Sequence, residues 1–187
     1  MDLKQSLAQH HETMQSLIQL EAGLHSAIEQ IRACFKAEKK LLVCGNGGSA
    51  ADAQHFAAEF SGRFEQDRLG FPAFALTTDS SAMTAIANDY GYEQIFARQI
   101  ESVGFAGDVL LAISTSGNSA NIVQAVNQAK QQQMFTIGLQ GRDGGELAQL
   151  VDLALTVETH RTSRIQEAHI FLLHYICEAF ESGRDGF

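Results

Sequence analysis

Leu41-Leu42-Val43-Cys44-Gly45-Asn46-Gly47-Gly48-Ser49-Ala50-Ala51 is the stretch that decides the fold. Four apolar residues in a row, closed by turn formers, read as a strand buried on both faces rather than as the alternating pattern of a half-exposed one. The glycines that follow allow a tight turn, and Ala50 opens a helical stretch. Strand, glycine turn and helix form the first half of a βαβ unit.

Working outward, the same unit recurs. Strands are expected at residues 41–44, 73–76, 108–113, 135–139 and 152–157. Helices are expected between and after them at 50–61, 81–88, 95–103, 119–132 and 164–181. Strands that alternate with helices pair in parallel and are covered on both faces. The fold class that follows is α/β, a three-layer sandwich with a five-stranded parallel sheet of Rossmann-like or flavodoxin-like type, preceded by an N-terminal helix. No linker or repeat divides the chain, so residues 1–187 are read as one domain with a frayed tail at 182–187. In the N-terminal stretch Leu3, Leu7, His10, Met14, Leu17, Glu21, Leu24 and Ile28 follow a helical stripe. Such a stripe packs either on its own domain or on a partner subunit.

The composition excludes several classes. The chain has 187 residues, a net charge of −9 and one proline. Its longest apolar run, Val109-Leu110-Leu111-Ala112-Ile113, is far short of the roughly 18 residues of a membrane span. Asp2, Lys4, Gln5, His10, His11 and Glu12 interrupt the first twenty residues, which therefore lack a signal-peptide centre. A cytoplasmic location is expected. Cys34, Cys44 and Cys177 are odd in number and form no CxxC pair, so buried reduced thiols are expected. The acidic balance argues against nucleic acid, which is gripped by clustered Lys and Arg. A phosphorylated small molecule would have to be held by loop geometry.

Ligands of open α/β sheets bind at the carboxyl ends of the strands. The loop at Gly45, Asn46, Gly47, Gly48 and Ser49 offers backbone amides to an anion. It lacks the Gly-Lys-Ser/Thr of a P-loop, and Asp79 lies too far along to complete a dinucleotide fingerprint. Ser114-Thr115-Ser116-Gly117-Asn118-Ser119 places four hydroxyls around a glycine at a helix start, more than one cap needs. A phosphate site without lysine is the stronger reading. Asp52, His55 and Glu59 share a helix face, as a metal pair or an acid/base pair would. In the last helix Gln166, His169 and His174 stand among Ile165, Ile170, Leu172, Leu173 and Ile176, where polar groups need partners.

The segments at residues 44–59, Asn88-Asp89, 114–119 and Arg164-Ile165-Gln166-Glu167-Ala168-His169 resemble, in order and at compatible spacing, the sugar isomerase (SIS) domain, and within it the phosphoheptose isomerases. The resemblance implies an aldose–ketose isomerase that converts sedoheptulose 7-phosphate to D-glycero-D-manno-heptose 7-phosphate, the first step of nucleotide-activated heptose biosynthesis. It implies one zinc per subunit at His55, Glu59, Gln166 and His174, with Glu59 as base and His174 as acid. It assigns substrate contacts to Asn46, Gly47, Gly48, Glu59, Asn88, Asp89, Ser114, Thr115, Ser116, Ser119 and Gln166. It implies a homotetramer with sites at subunit contacts, with residues 1–30 as an oligomerisation helix, and neither nucleic acid nor membrane as partner. A related SIS protein that associates with a replication initiator lacks the acidic group at the position of Glu59 and has asparagine at that of His174. This chain keeps both groups. The alternatives are that non-catalytic role and isomerisation of another sugar phosphate.

Overall fold

The structure is a computed structural model and describes residues 2–182. Apart from Ser182, the tail expected to fray lies outside the described residues. The N-terminal region is two helices, α1 (Leu3–Ser16) and α2 (Glu21–Lys36), joined by a 3₁₀ segment at Leu17–Leu20. The single helix expected over residues 1–30 is therefore corrected. Leu17 is buried within that tighter turn, and Leu24, Ile28 and Ile31 of α2 reach the core.

Five strands follow: β1 (Leu41–Gly45), β2 (Ala73–Ala75), β3 (Val109–Ser114), β4 (Phe135–Gly141) and β5 (Leu153–Val157). All pairings are parallel, in the order β2-β1-β3-β4-β5. Between them run α3 (Gly48–Ser61), α4 (Ser80–Tyr90), α5 (Ala97–Val103), α6 (Ala120–Gln131), α7 (Leu147–Leu150) and finally α8 (Thr162–Ser182). The α7 turn was not foreseen; Leu147 pins it by filling the core beside Ile122 and Val126.

Each central strand feeds two cores, because successive side chains point to opposite faces. Leu41, Val43, Val109, Leu111 and Ile113 pack with Ile31, Phe56, Phe60 and Leu172 on one side. Leu42, Cys44, Leu110 and Ala112 pack with Ile100, Ile122 and Val126 on the other. This explains the unbroken apolar runs. Lys40 and the fully buried Asp108 meet at 2.6 Å, and Asp108 also accepts the Lys40 and Phe105 amides, which fastens the starts of β1 and β3 together.

The strand order reverses between β1 and β3, since the chain leaves β1 for β2 on one side and returns to β3 on the other. Open α/β sheets bind ligands at such a switch point, which here falls at the loops after β1 and β3. Asp79 caps α4, accepting the Ala82 amide at 2.9 Å, which gives it a local role in place of the ribose contact a dinucleotide fold would need. No helix among the described residues is long and apolar enough to cross a membrane. All three cysteines are free and buried. Burial pushes the Cys34 thiol up to about 11 and Cys177 to about 12.

Candidate active site

The β1 loop is shaped by glycines with separate reasons. Gly47 has φ +56 and ψ −118, a conformation L residues rarely adopt, although a Cβ there would meet nothing within 4 Å. That open space above an amide is where a ligand can approach. At Gly48 a Cβ would lie 2.3 Å from Gln166 Nε2, so the glycine makes room for a side chain of α8. Asn46 and Asn121 exchange amide hydrogen bonds, both at 2.8 Å, and Tyr92 donates to Asn46 Oδ1 at 3.2 Å. Asn121 is buried in the first turn of α6, so this pair ties the β1 loop to the helix that follows the β3 loop. Neither Asn121 nor Tyr92 was anticipated. Asn121 follows Ser119 by two residues, and its position in an apolar helix start was the available signal.

In the β3 loop the Ser114 and Ser119 hydroxyls meet at 3.1 Å. Ser119 occupies the N-cap of α6, yet its side chain makes no capping bond. The loop therefore does not spend that hydroxyl as a helix cap would, and the hydroxyl pair stands at a helix N-terminus, where anions are favoured. Ser116 Oγ accepts the Asn118 amide at 3.2 Å, and Thr115 and Ser116 are half-buried. Gly117, at φ +67, would with a Cβ come within 1.9 Å of the Gly144 carbonyl, so the loop is seated tightly on the segment after β4.

A third cluster lies lower on the helix layer. His55 Nε2 is 2.8 Å from Glu59 Oε1, and His174 Nε2 is 3.5 Å from His55 Nε2. The helix spacing seen in the sequence thus places His55 against Glu59, and α8 brings His174 to them. Helices α3 and α8 run side by side in near register: Gly48 meets Gln166, His55 meets His174 at 5.1 Å between rings, and Phe60 meets Phe180 at 4.9 Å. With a rise of about 1.5 Å per residue, Glu59 stands about 16 Å along α3 from Gly48, and Gln166 about 12 Å along α8 from His174. The structure gathers His55, Glu59 and His174, and sets Gln166 apart against the glycine loop. Two imidazoles and a carboxylate are donors that suit a divalent transition metal. Among the described residues, no group of three or more His, Cys, Asp or Glu side chains is arranged to hold a metal ion. Burial raises the Asp52 carboxyl above its usual range, against the pull of His55.

Asn88 and Asp89 are exposed on α4, where Asn88 donates to Asp89 at 2.8 Å. No hydrogen bond among the described residues joins them to the other site groups. His169 is fully buried and belongs to the core.

The molecule thus combines a doubly wound sheet, a hydroxyl-rich loop at its switch point and a His55–Glu59–His174 cluster on the flanking helices. The SIS domain family model matches residues 7–141, and the chain belongs to that family. Within it the chain belongs to the phosphoheptose isomerases and is an isomerase. It is 48% identical over 180 residues to the phosphoheptose isomerase of Helicobacter pylori, covering 96% of this chain and 94% of that one. The solved structure of a phosphoheptose isomerase from Neisseria gonorrhoeae superposes with a TM-score of 0.91 at 46% identity, covering 96% of this chain and 97% of that one. One from Francisella tularensis gives 0.84 at 36% identity, covering 95% and 98%.

Proposed function

We propose that this isomerase converts sedoheptulose 7-phosphate to D-glycero-D-manno-heptose 7-phosphate through an enediol. The reaction takes a proton from C1 to C2, passes the hydroxyl hydrogen of O1 to O2, and needs a base near carbon and an acid near oxygen. Glu59 is the base and His174 the acid. The observation that carries this is their convergence on His55 from two different helices, at 2.8 and 3.5 Å. Glu59 Oε1 faces His55, which leaves Oε2 for the carbon proton. The residue 114–119 loop takes the phosphate, so that binding energy remote from the reacting carbons orients them. Asn46, Gly47, Gly48, Asn88, Asp89 and Gln166 are proposed to contact the sugar.

His55, Glu59, Gln166 and His174 are proposed to hold one zinc per subunit, with Gln166, which lies against the glycine loop away from the other three in its own chain, supplied by a neighbouring subunit. In support, His55 and His174 bring their Nε2 atoms to 3.5 Å of each other with Glu59 Oε1 2.8 Å from the first, a donor set of two imidazoles and a carboxylate that suits zinc. When bound, zinc would polarise the substrate carbonyl as a Lewis acid.

A homotetramer with sites at subunit contacts is also proposed. The stripe of the N-terminal region divides: Leu17, Leu24 and Ile28 pack inward, whereas Leu3 and Leu7 are 75% and 58% exposed. Ile18 and Phe171, exposed as well, line a groove of about 360 Å³ between the N-terminal helices and α8. The distance along α3 between the glycine loop and Glu59 supports completion of each site by a neighbour. The buried thiols suit the cytoplasm.

NMR of sedoheptulose 7-phosphate incubated with the purified protein tests the assignment. A seven-carbon aldose phosphate is expected; an unchanged ketose, with turnover of a shorter or amino sugar phosphate, would replace the substrate.

A further inference from the structure

The segment from 63 to 70, between α3 and β2, is neither helix nor strand. Its first half is held by a side chain from the far end of α8. Glu181, with only 5% of its side chain exposed, accepts the amides of Phe64 at 3.2 Å, Glu65 at 3.0 Å and Gln66 at 3.1 Å. Three successive backbone N–H groups form a concave anion site, and here the anion is the protein's own carboxylate. Burying that charge is tolerable because charge-assisted bonds meet it on both oxygens.

Two contacts lead from this anchor to the reacting pair. The Phe64 ring lies 5.5 Å from the His174 ring, tilted by 38°. Arg68, whose Nε is 3.8 Å from Glu181, donates to the Glu59 carbonyl at 2.6 Å and to the Phe60 and Leu69 carbonyls at 3.0 Å each. Its guanidinium rests on Phe71 at 4.7 Å. One buried carboxylate therefore sets the wall beside His174 and forms an ion pair with the arginine that clamps the helix end carrying Glu59.

We propose that Glu181 is a positioning residue for the isomerisation: through Phe64 and Arg68 it fixes the relative placement of His174 and Glu59 without touching substrate. This rests on the acid/base reading given under Proposed function. Glutamine at 181 keeps the volume but turns an NH2 group toward backbone donors, so the segment loses its grip at that end. The phosphate loop, on other elements, is untouched.

The test has two arms. Hydrogen exchange on the substrate-free protein should show the amides of residues 64–66 exchanging at least about tenfold faster in Glu181→Gln, with the sheet unchanged. With sedoheptulose 7-phosphate, kcat should fall by about 10- to 100-fold while KM stays within about threefold, since small misplacements of reacting groups cost that much. Phe64→Leu should show the same split, and the double variant should fall short of the product of the two single effects, because both act through one contact. Phe64→Leu also carries the test if Glu181→Gln does not fold. Unchanged amide protection, an unchanged kcat, a change confined to KM, or effects that multiply in full would each overturn the proposal. No turnover by the parent protein would instead overturn the acid/base reading, and the exchange arm would still decide whether Glu181 holds the segment.

Discussion

Gly117→Ala tests how firmly the anion loop is seated. Residue 117 has φ +67, where an L side chain costs about 1–2 kcal/mol. The new Cβ would also come within 1.9 Å of the Gly144 carbonyl, so the two segments must part by more than about 1 Å to reach ordinary contact. Parting them stretches the hydrogen bond from the Leu147 amide to the Gly117 carbonyl, now 2.9 Å, and Gly144 cannot yield freely because its amide donates to the Gly141 carbonyl at 3.0 Å and its carbonyl accepts the Ala148 amide at 3.2 Å. Overpacking of this kind adds about 1–3 kcal/mol. The sum, about 2–5 kcal/mol, lowers the melting temperature by at least about 4 °C in a chain of this size. The displaced loop carries Ser116 and Ser119 with it, so KM for the sugar phosphate should rise by about tenfold or more. For the melting temperature, Gly47→Ala is the control for dihedral strain alone, since its Cβ meets no protein atom within 4 Å. Scanning calorimetry on both variants and steady-state kinetics on Gly117→Ala supply the numbers. A Gly117→Ala protein that melts within about 2 °C of the parent and keeps its KM would refute the rigid seating of the loop.

Other perturbations separate the remaining roles. Ser116→Ala should raise KM more than it lowers kcat, and a pure kcat effect in a steady-state assay would remove Ser116 from the phosphate grip. Glu59→Gln and His174→Asn should each lower turnover by about two orders of magnitude or more with the circular dichroism unchanged; parental rates in either would cancel the acid/base assignment. Burial holds the His169 imidazole down at about 4, below its usual 6.5. The unfolded chain then takes up a proton that the folded one refuses, so this residue's contribution is complete above about pH 6.5 and is lost as pH falls toward 4, by up to about 3 kcal/mol. His169→Leu should flatten that part of the stability profile in urea titrations between pH 4 and 7, and an unchanged slope would exclude His169 as its source. Metal analysis of protein purified without chelator should find zinc that His55→Ala and His174→Ala each deplete; equal metal content in all three would place any zinc elsewhere.

Much of this molecule was legible locally. The apolar runs at 41–44 and 108–113 announce strands buried on both faces, because only a residue with core on either side dispenses with polar alternation. The spacing of His55 and Glu59 announces a shared helix face, since four residues close one turn. Gly45 to Ser49 and Ser114 to Ser119 are recognisable as turn-forming loops at strand ends, because tolerance of positive φ, as at Gly47, and clustered hydroxyls are properties of the residues themselves. The Leu17–Leu20 turn that divides the N-terminal stripe was not legible: neither proline nor glycine marks it, and it follows from how Leu17 and Leu24 settle on the core.

What the residues alone determined is therefore the alternation of strands and helices, the two loops and the His55–Glu59 pair. These rest on interactions within a few positions of one another. The tertiary structure alone decided that β1 and β3 are neighbours, that Asn46 meets Asn121 across 75 positions, and that α8 lies along α3 so that His174 reaches His55 across 119. It alone placed Glu181 under the amides of residues 64–66, more than 100 positions away in the chain. Strand order and helix neighbours come from burying two faces of one sheet at once, a condition on the whole chain that no short stretch of it expresses.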